Sequence, residues 1–273
     1  MRAALFLVFL IFFLTGAIPA QALELDGALT QGGLVVGRAA PGAQVAIEGR
    51  KVRVSKDGFF LMGFGRDAPA KVKLVVTRPD GGVQSRVLEV AGREYEIQRI
   101  DGLPKRQVTP NPKALLRIKA DNAKIGAVRR LDTDRAYFVS GFAWPVRGRI
   151  SGVYGSQRIL NGKPKRPHNG VDIAAPRGEP VKAAADGAVA LAHPDMFYTG
   201  KTMLIDHGHG LTSVYAHMSE ILVAQGQWVA KGQVIGKVGA SGRATGPHLH
   251  WGVTLKKTHL DPALLAGKMG GQY

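Results

Sequence analysis

Pro247-His248-Leu249-His250-Trp251-Gly252-Val253 sets two imidazoles two residues apart inside an apolar run. A strand puts residues i and i+2 on one face, whereas a helix turns them to opposite sides, and Leu249, Trp251 and Val253 favour the strand. The two rings therefore share one face of a sheet. Upstream, His168-Asn169-Gly170-Val171-Asp172-Ile173 uses the same period over four residues. In an extended chain His168 and Asp172 fall on one face, and Val171 and Ile173 on the other. Between these segments, Val214-Tyr215-Ala216-His217-Met218 supplies a further histidine.

Two imidazoles and a carboxylate are a common catalytic set for zinc, with the fourth position left to water. The set expected here is His168, Asp172 and His250. One carboxylate cancels only one of the metal's two charges, so the site stays net positive and favours hydroxide over water. On zinc precedent the pKa of such a water falls to about 7. His248 and His217 remain as proton handlers. The chain has no His-Glu-x-x-His segment, so a helix-borne glutamate base is missing and histidine must take that work. Which of the two accepts the proton and which steadies the oxyanion stays open. His193, His207, His209 and His259 are read as structural or supporting. Gly239, Gly242 and Gly246 are read as turn residues, since no phosphate-binding loop pattern is present.

These spacings, with Gly170-Val-Asp-Ile-Ala-Ala-Pro176, Ser213-Val-Tyr-Ala-His-Met218 and Gly242-Arg-Ala-Thr-Gly-Pro-His-Leu-His-Trp251, resemble the lysostaphin-type (LytM-like) zinc metallopeptidases over residues 141–265. The resemblance implies zinc on His168, Asp172 and His250, with His217 and His248 catalytic. It also implies cleavage of peptide bonds in bacterial peptidoglycan, in glycine bridges or in stem-peptide cross-links. Members that lack some of the five residues act as non-enzymatic activators of other wall hydrolases, so the intact set implies an active endopeptidase. Peptidoglycan stem peptides are the expected partner, with envelope regulatory proteins as further candidates.

The start of the chain points to the same surroundings. Met1-Arg2, an apolar run from Ala3 to Leu14 and Ala20-Gln21-Ala22 read as a secretory signal over residues 1–22. The alternative is an uncleaved anchor, the single route by which this chain would touch a membrane. Export is expected, to a periplasm first, with secretion or anchoring as alternatives. The absence of cysteine excludes disulfides and an N-terminal lipid-modified Cys. The 37 Lys and Arg against 20 Asp and Glu would suit nucleic acid, but export and the missing basic-aromatic motif exclude that class, and an anionic envelope fits better.

The expected fold is mainly β. Residues 23–101 read as a small β-sandwich-like accessory domain, from short β-rich runs at 44–47, 51–54, 59–62, 71–76 and 83–90 between turn signals. Residues 102–140 read as a Pro-rich linker and one connecting helix with an apolar stripe of Leu115, Ile118, Ile125 and Val128. Residues 141–265 form the antiparallel β metallopeptidase domain, and 266–273 a tail. The basic loop Gly155 to Pro167 is expected at the rim of the cleft. Two rival functions come from other classes. One is a non-catalytic activator of a wall amidase. The other is a biotinyl- or lipoyl-like adaptor, because Val181 to Val189 and Gly226 to Gly239 resemble that fold's half-motifs.

Overall fold

A computed structural model describes residues 23–103 and 108–270 of the 273-residue chain. The proposed signal segment, 1–22, lies outside the described residues. So do residues 104–107 of the linker and the last three residues of the tail.

The fold is mainly β, as expected. The N-terminal region holds β1 (Glu24–Gly27), β2 (Leu34–Arg38), β3 (Gln44–Ile47), β4 (Arg50–Val52), β5 (Phe59–Gly63), β6 (Lys71–Thr77), β7 (Val83–Glu89) and β8 (Ile97–Ile100). Two sheets, β1-β2-β5 and β4-β3-β6-β7, close on a core of Val35, Phe60, Met62, Val72, Leu74 and Val76. Side chains alternate along β2 and β5, so the other face of that first sheet has its own apolar set. Leu34 and Leu61 on that face are buried with Val253 and Leu260 of the C-terminal domain. The first sheet is therefore covered on both sides, and the two regions share a core.

Asn111 starts helix α1 (Pro112–Val128), its Oδ1 accepting from the Ala114 amide at 2.8 Å, with Pro112 at the first position where its missing N–H costs nothing. The helix docks with only part of the predicted stripe. Val128 and Ile125 pack with Leu204 and Val214, whereas Leu115 stays exposed. A three-turn offset from the docking end carries Leu115 off the sheet.

The C-terminal domain contains β9 (Arg149–Gly152), β10 (Gln157–Leu160), β11 (Lys163–Pro164), β12 (Val171–Ala174), β13 (Pro180–Lys182), β14 (Gly187–Met196), β15 (Gly200–Gly208), β16 (Leu211–Met218), β17 (Glu220–Ile221), β18 (Trp228–Val229), β19 (Val234–Lys237), β20 (His248–Leu255) and β21 (Thr258–Leu260), then a short helix α2 (Pro262–Ala266). The main sheet runs β18-β14-β15-β16-β20-β12-β9, with β21 on β20, and its pairs are antiparallel. Every residue of β16 is buried, so this strand and its neighbour β20 form the floor on which the histidines stand. A second three-stranded sheet, β13-β19-β17, packs beside it. It joins the two segments with adaptor-like half-motifs, and Lys231, inside the second of them, is engaged by the Ser140 carbonyl.

One pairing crosses between the regions. Strand β8 runs parallel to β10, with Gln98 opposite Arg158.

Candidate functional site

Asp172 on β12 and His250 on β20 are direct register partners, so the sheet itself brings them together. His250 Nδ1 lies 2.8 Å from Asp172 Oδ1. His168 lies in the extended segment just before β12 and outside that strand pair. It is tied instead to the preceding turn, its amide donating to the Ser156 carbonyl at 2.9 Å while its carbonyl accepts from Gly155 at 2.8 Å. Its Nε2 reaches 3.1 Å from Asp172 Oδ1 and 3.0 Å from His250 Nδ1. The structure thus gathers the three residues read as a ligand set. They are the one group of this kind found among the described residues.

The chemistry of that triangle fits a cation. His168 Nδ1 faces the Val153 carbonyl at 3.1 Å and must carry its proton, which leaves a lone pair on Nε2. Burial pushes His168 down to about 4, against its contact with Asp172, so the ring is neutral at neutral pH. Burial also tends to raise the Asp172 carboxyl, but hydrogen bonds and charge from His168 and His250 prevail and hold it well below the usual carboxylate range. Electron pairs from a neutral ring, a carboxylate and a second ring therefore converge with edges of 2.8, 3.0 and 3.1 Å. Neighbouring ligands of tetrahedral zinc at bond lengths near 2.0 to 2.1 Å lie about 3.3 Å apart. The donor set could hold such an ion with shifts of a few tenths of an ångström.

Two glycines make room for it. A Cβ on Gly152, which lies opposite Asp172, would fall 2.5 Å from Asp172 Oδ2 and 3.1 Å from His168 Cε1. A Cβ on Gly170 would fall 2.9 Å from His250 Cε1 and 2.4 Å from the Trp251 carbonyl. Neither glycine is picked out by the periodicity of the polar residues. The readable sign for Gly170 is its place between two ligands; nothing comparable marks Gly152.

His217 and His248 complete the cluster, with ring centroids 4.7 Å apart and His217 6.2 Å from His250. His217 would not arrive here from a regular strand. Its neighbour Ala216 is the register partner of His250 and shares its face, so the next residue would point to the other side. Between its pairings with Lys201 and Met203, strand β16 holds one more residue than β15. This bulge, with His217 at φ 61°, turns the ring back toward the site. Bulges re-aim side chains in this way beside active sites, and left-handed backbone costs a non-glycine roughly 1–2 kcal/mol. Both rings donate Nδ1–H to backbone carbonyls, His217 to Ser241 and His248 to Gly246, each at 2.8 Å. Each therefore offers Nε2 as a proton acceptor. Burial, then the neighbouring charges of His248 and His250, push His217 down to about 3.

The basic residues of the 155–167 segment divide, with Lys163 and Arg166 exposed and Arg158 and Lys165 partly buried. Arg158 turns inward, its Nη2 2.6 Å from Asp172 Oδ2. Lys163 Nζ donates to Thr109 Oγ1, and Lys165 Nζ to the Val108 carbonyl. Attraction to the buried Asp172 carboxylate outweighs hydration for Arg158. Sequence reading placed Arg158 on the surface because the signal for its true position is the β8–β10 pairing, which is distant in the chain. The remaining histidines stay apart from the site. His207 contacts Ser213 Oγ at 2.7 Å in the core, His209 packs on Phe138, His259 meets Thr254 and His193 meets Lys124.

The model of peptidase family M23 matches residues 166–262, a span that contains all five site residues. A crystal structure of a Pseudomonas aeruginosa peptidase M23 protein superposes with a TM-score of 0.67. It is 32% identical and covers 88% of this chain and 96% of that one. The chain belongs to peptidase family M23. The lysostaphin-type resemblance drawn from the motifs therefore holds. Among curated relatives, the peptidoglycan DD-endopeptidase ShyB of Vibrio cholerae is 37% identical over 151 residues, 52% of this chain and 31% of that protein. The DD-carboxypeptidase/endopeptidase Mpg of Neisseria meningitidis is 43% identical over 121 residues, 44% of this chain and 28% of that protein. The chain thus spans about a third of the length of the curated relatives it matches.

Proposed function

We infer that this M23 chain is an exported zinc endopeptidase that hydrolyses peptide cross-links of peptidoglycan. The observation that carries the reading is the convergence of His168 Nε2, Asp172 Oδ1 and His250 Nδ1 beside two histidines whose Nδ1 atoms are committed to backbone carbonyls. The activities in the names of ShyB and Mpg support the substrate class. Export to a periplasm rests on the apolar N-terminal run and on the envelope substrate; no helix of the described residues is long and apolar enough to cross a membrane. Division into an accessory region, 23–101, and a catalytic one, 141–265, belongs to the same reading.

In this mechanism His168, Asp172 and His250 would hold the ion. Bound zinc supplies Lewis acidity, which lowers the pKa of water to about 7 and polarises a carbonyl. His217, kept neutral by burial, and His248 offer Nε2 to the attacking water's proton and return it to the leaving amine. Once protonated, the ring that holds the proton donates a hydrogen bond toward the developing oxyanion. Burial of His217 and Asp172 keeps bulk water from screening these contacts.

The test is digestion of purified sacculi by the zinc-loaded protein, with mass spectrometry of the soluble muropeptides. Released fragments ending at a former cross-link are expected. A metal-loaded, folded protein that releases none would sink the enzymatic reading.

A further inference from the structure

Arg158 touches both halves of the molecule. Its Nη2 lies 2.6 Å from Asp172 Oδ2, with 21% and 13% of the two side chains exposed. Its Nε donates to Gln98 Oε1 at 3.2 Å, from the residue directly opposite on β8. A guanidinium presents its N–H groups in a rigid fork, so holding one edge on Gln98 fixes the direction of the other. Oδ2 of Asp172 is thereby taken up, and Oδ1 alone is turned to His168 and His250.

The same loop is gripped elsewhere by the N-terminal region. Arg66 Nε donates to the Gly155 carbonyl at 2.7 Å, and the Tyr95 ring covers Gly155 so closely that a Cβ there would fall 2.1 Å from it. The loop also supplies the Val153 carbonyl that fixes the tautomer of His168. Two of the three ligand side chains are thus oriented by residues 153–158, and these are held by Arg66, Tyr95 and Gln98.

We propose that Arg158 is a positioning residue that keeps the Asp172 carboxylate presenting one oxygen to the metal, and that the N-terminal β region sets metal affinity by holding Arg158 through Gln98. This rests on the metal reading of the site. Partners that orient metal ligands typically change affinity by about 10–100-fold when removed.

The test uses the full chain, with zinc affinity measured by chelator competition and the visible spectrum of the cobalt-loaded protein as a report on the ligand field. Arg158→Ala should weaken zinc by about 10–100-fold and alter the cobalt bands, because the freed Oδ2 joins the site. Gln98→Ala, which touches no ligand, should shift affinity in the same direction by a smaller factor. Should Arg158→Ala not fold, Arg158→Lys takes its place; it keeps the charge, loses the fork and should also weaken zinc. Parental affinity with an unchanged spectrum in the folded Arg158 variant overturns the proposal. Parental behaviour of Gln98→Ala beside a weakened Arg158 variant overturns the role of the N-terminal region. Failure of the unaltered protein to bind zinc or cobalt is a different result, which removes the metal reading and this proposal with it.

Discussion

Asp172 and His250 face each other across the antiparallel β12–β20 pair, Oδ1 to Nδ1 at 2.8 Å. Cross-strand partners have their Cβ atoms about 4.5–5.5 Å apart, so two of the three ligands are fixed by sheet register before any ion arrives. Removing metal with a chelator should therefore abolish hydrolysis of sacculi and leave the far-UV circular dichroism unchanged, and added zinc should restore activity. Collapse of the β signal on chelation would show that the metal, not the register, holds the strands.

Gly152 gives a sharper probe of the same geometry. Its missing side chain leaves space that a Cβ would fill 2.5 Å from Asp172 Oδ2, inside the closest contacts of real side chains. Gly152→Ala should fold, because Gly152 sits on β9 beside the bulge at the outer edge of the sheet, but should lose zinc by tenfold or more, in the range seen for disturbed ligand shells. Metal analysis after dialysis decides it, and full zinc occupancy would contradict the crowding.

His217 is expected to act without holding metal. Its Nδ1 is committed to Ser241, and its ring packs on His248 rather than on Asp172. His217→Ala should keep zinc at the parental level and slow turnover by about a hundredfold or more, the usual size of a proton-transfer contribution. Parental turnover in the zinc-loaded variant would remove His217 from the mechanism.

Much of this site is legible in the sequence, because two of its residue pairs, His168 with Asp172 and His248 with His250, are local. The period of two in Pro247–Val253 and the spacing of His168 and Asp172 encode which side chains share a face, and a strand obeys that period whatever lies around it. His217 shows where this stops. Its parity assigns it to the wrong face, and only the bulge in β16, with a backbone at φ 61°, corrects it. Arg158 shows a second limit, since its position depends on a parallel partner, β8, about 60 residues away. Strand β2 carries no readable period for a similar reason. Leu34-Val35-Val36 carries apolar residues at both parities because both faces are covered, Val35 by the sandwich core and Leu34 by the C-terminal domain, so no alternation marks it.

That double coverage has a measurable consequence. Leu61 is 4% exposed and packs in the C-terminal core from the N-terminal region. All three tryptophans, Trp144, Trp228 and Trp251, lie in the C-terminal domain, so their fluorescence reports unfolding of that part. Leu61→Ala should cost about 2–5 kcal/mol and lower the midpoint seen by tryptophan fluorescence as much as that seen by far-UV circular dichroism. Separate midpoints, with fluorescence unmoved, would mean that the two regions unfold independently.

Acid should loosen the same core through His207. This ring is buried between the Asp186 carbonyl at 2.6 Å and Ser213 Oγ at 2.7 Å, and burial pushes it down to about 4, only partly countered by the Asp186 carbonyl. The unfolded chain, with histidine near 6.5, takes up a proton that the folded chain refuses. The contribution is therefore complete above about pH 6.5 and is lost as pH falls toward about 4, on the order of 3 kcal/mol for a shift of this size. His259, also pushed by burial to about 4, acts in the same direction. Melting temperature should fall steadily between pH 6.5 and 4.5, and His207→Gln, which cannot take up the proton, should show a shallower fall. Equal slopes for the variant and the parent would assign the acid sensitivity to other groups.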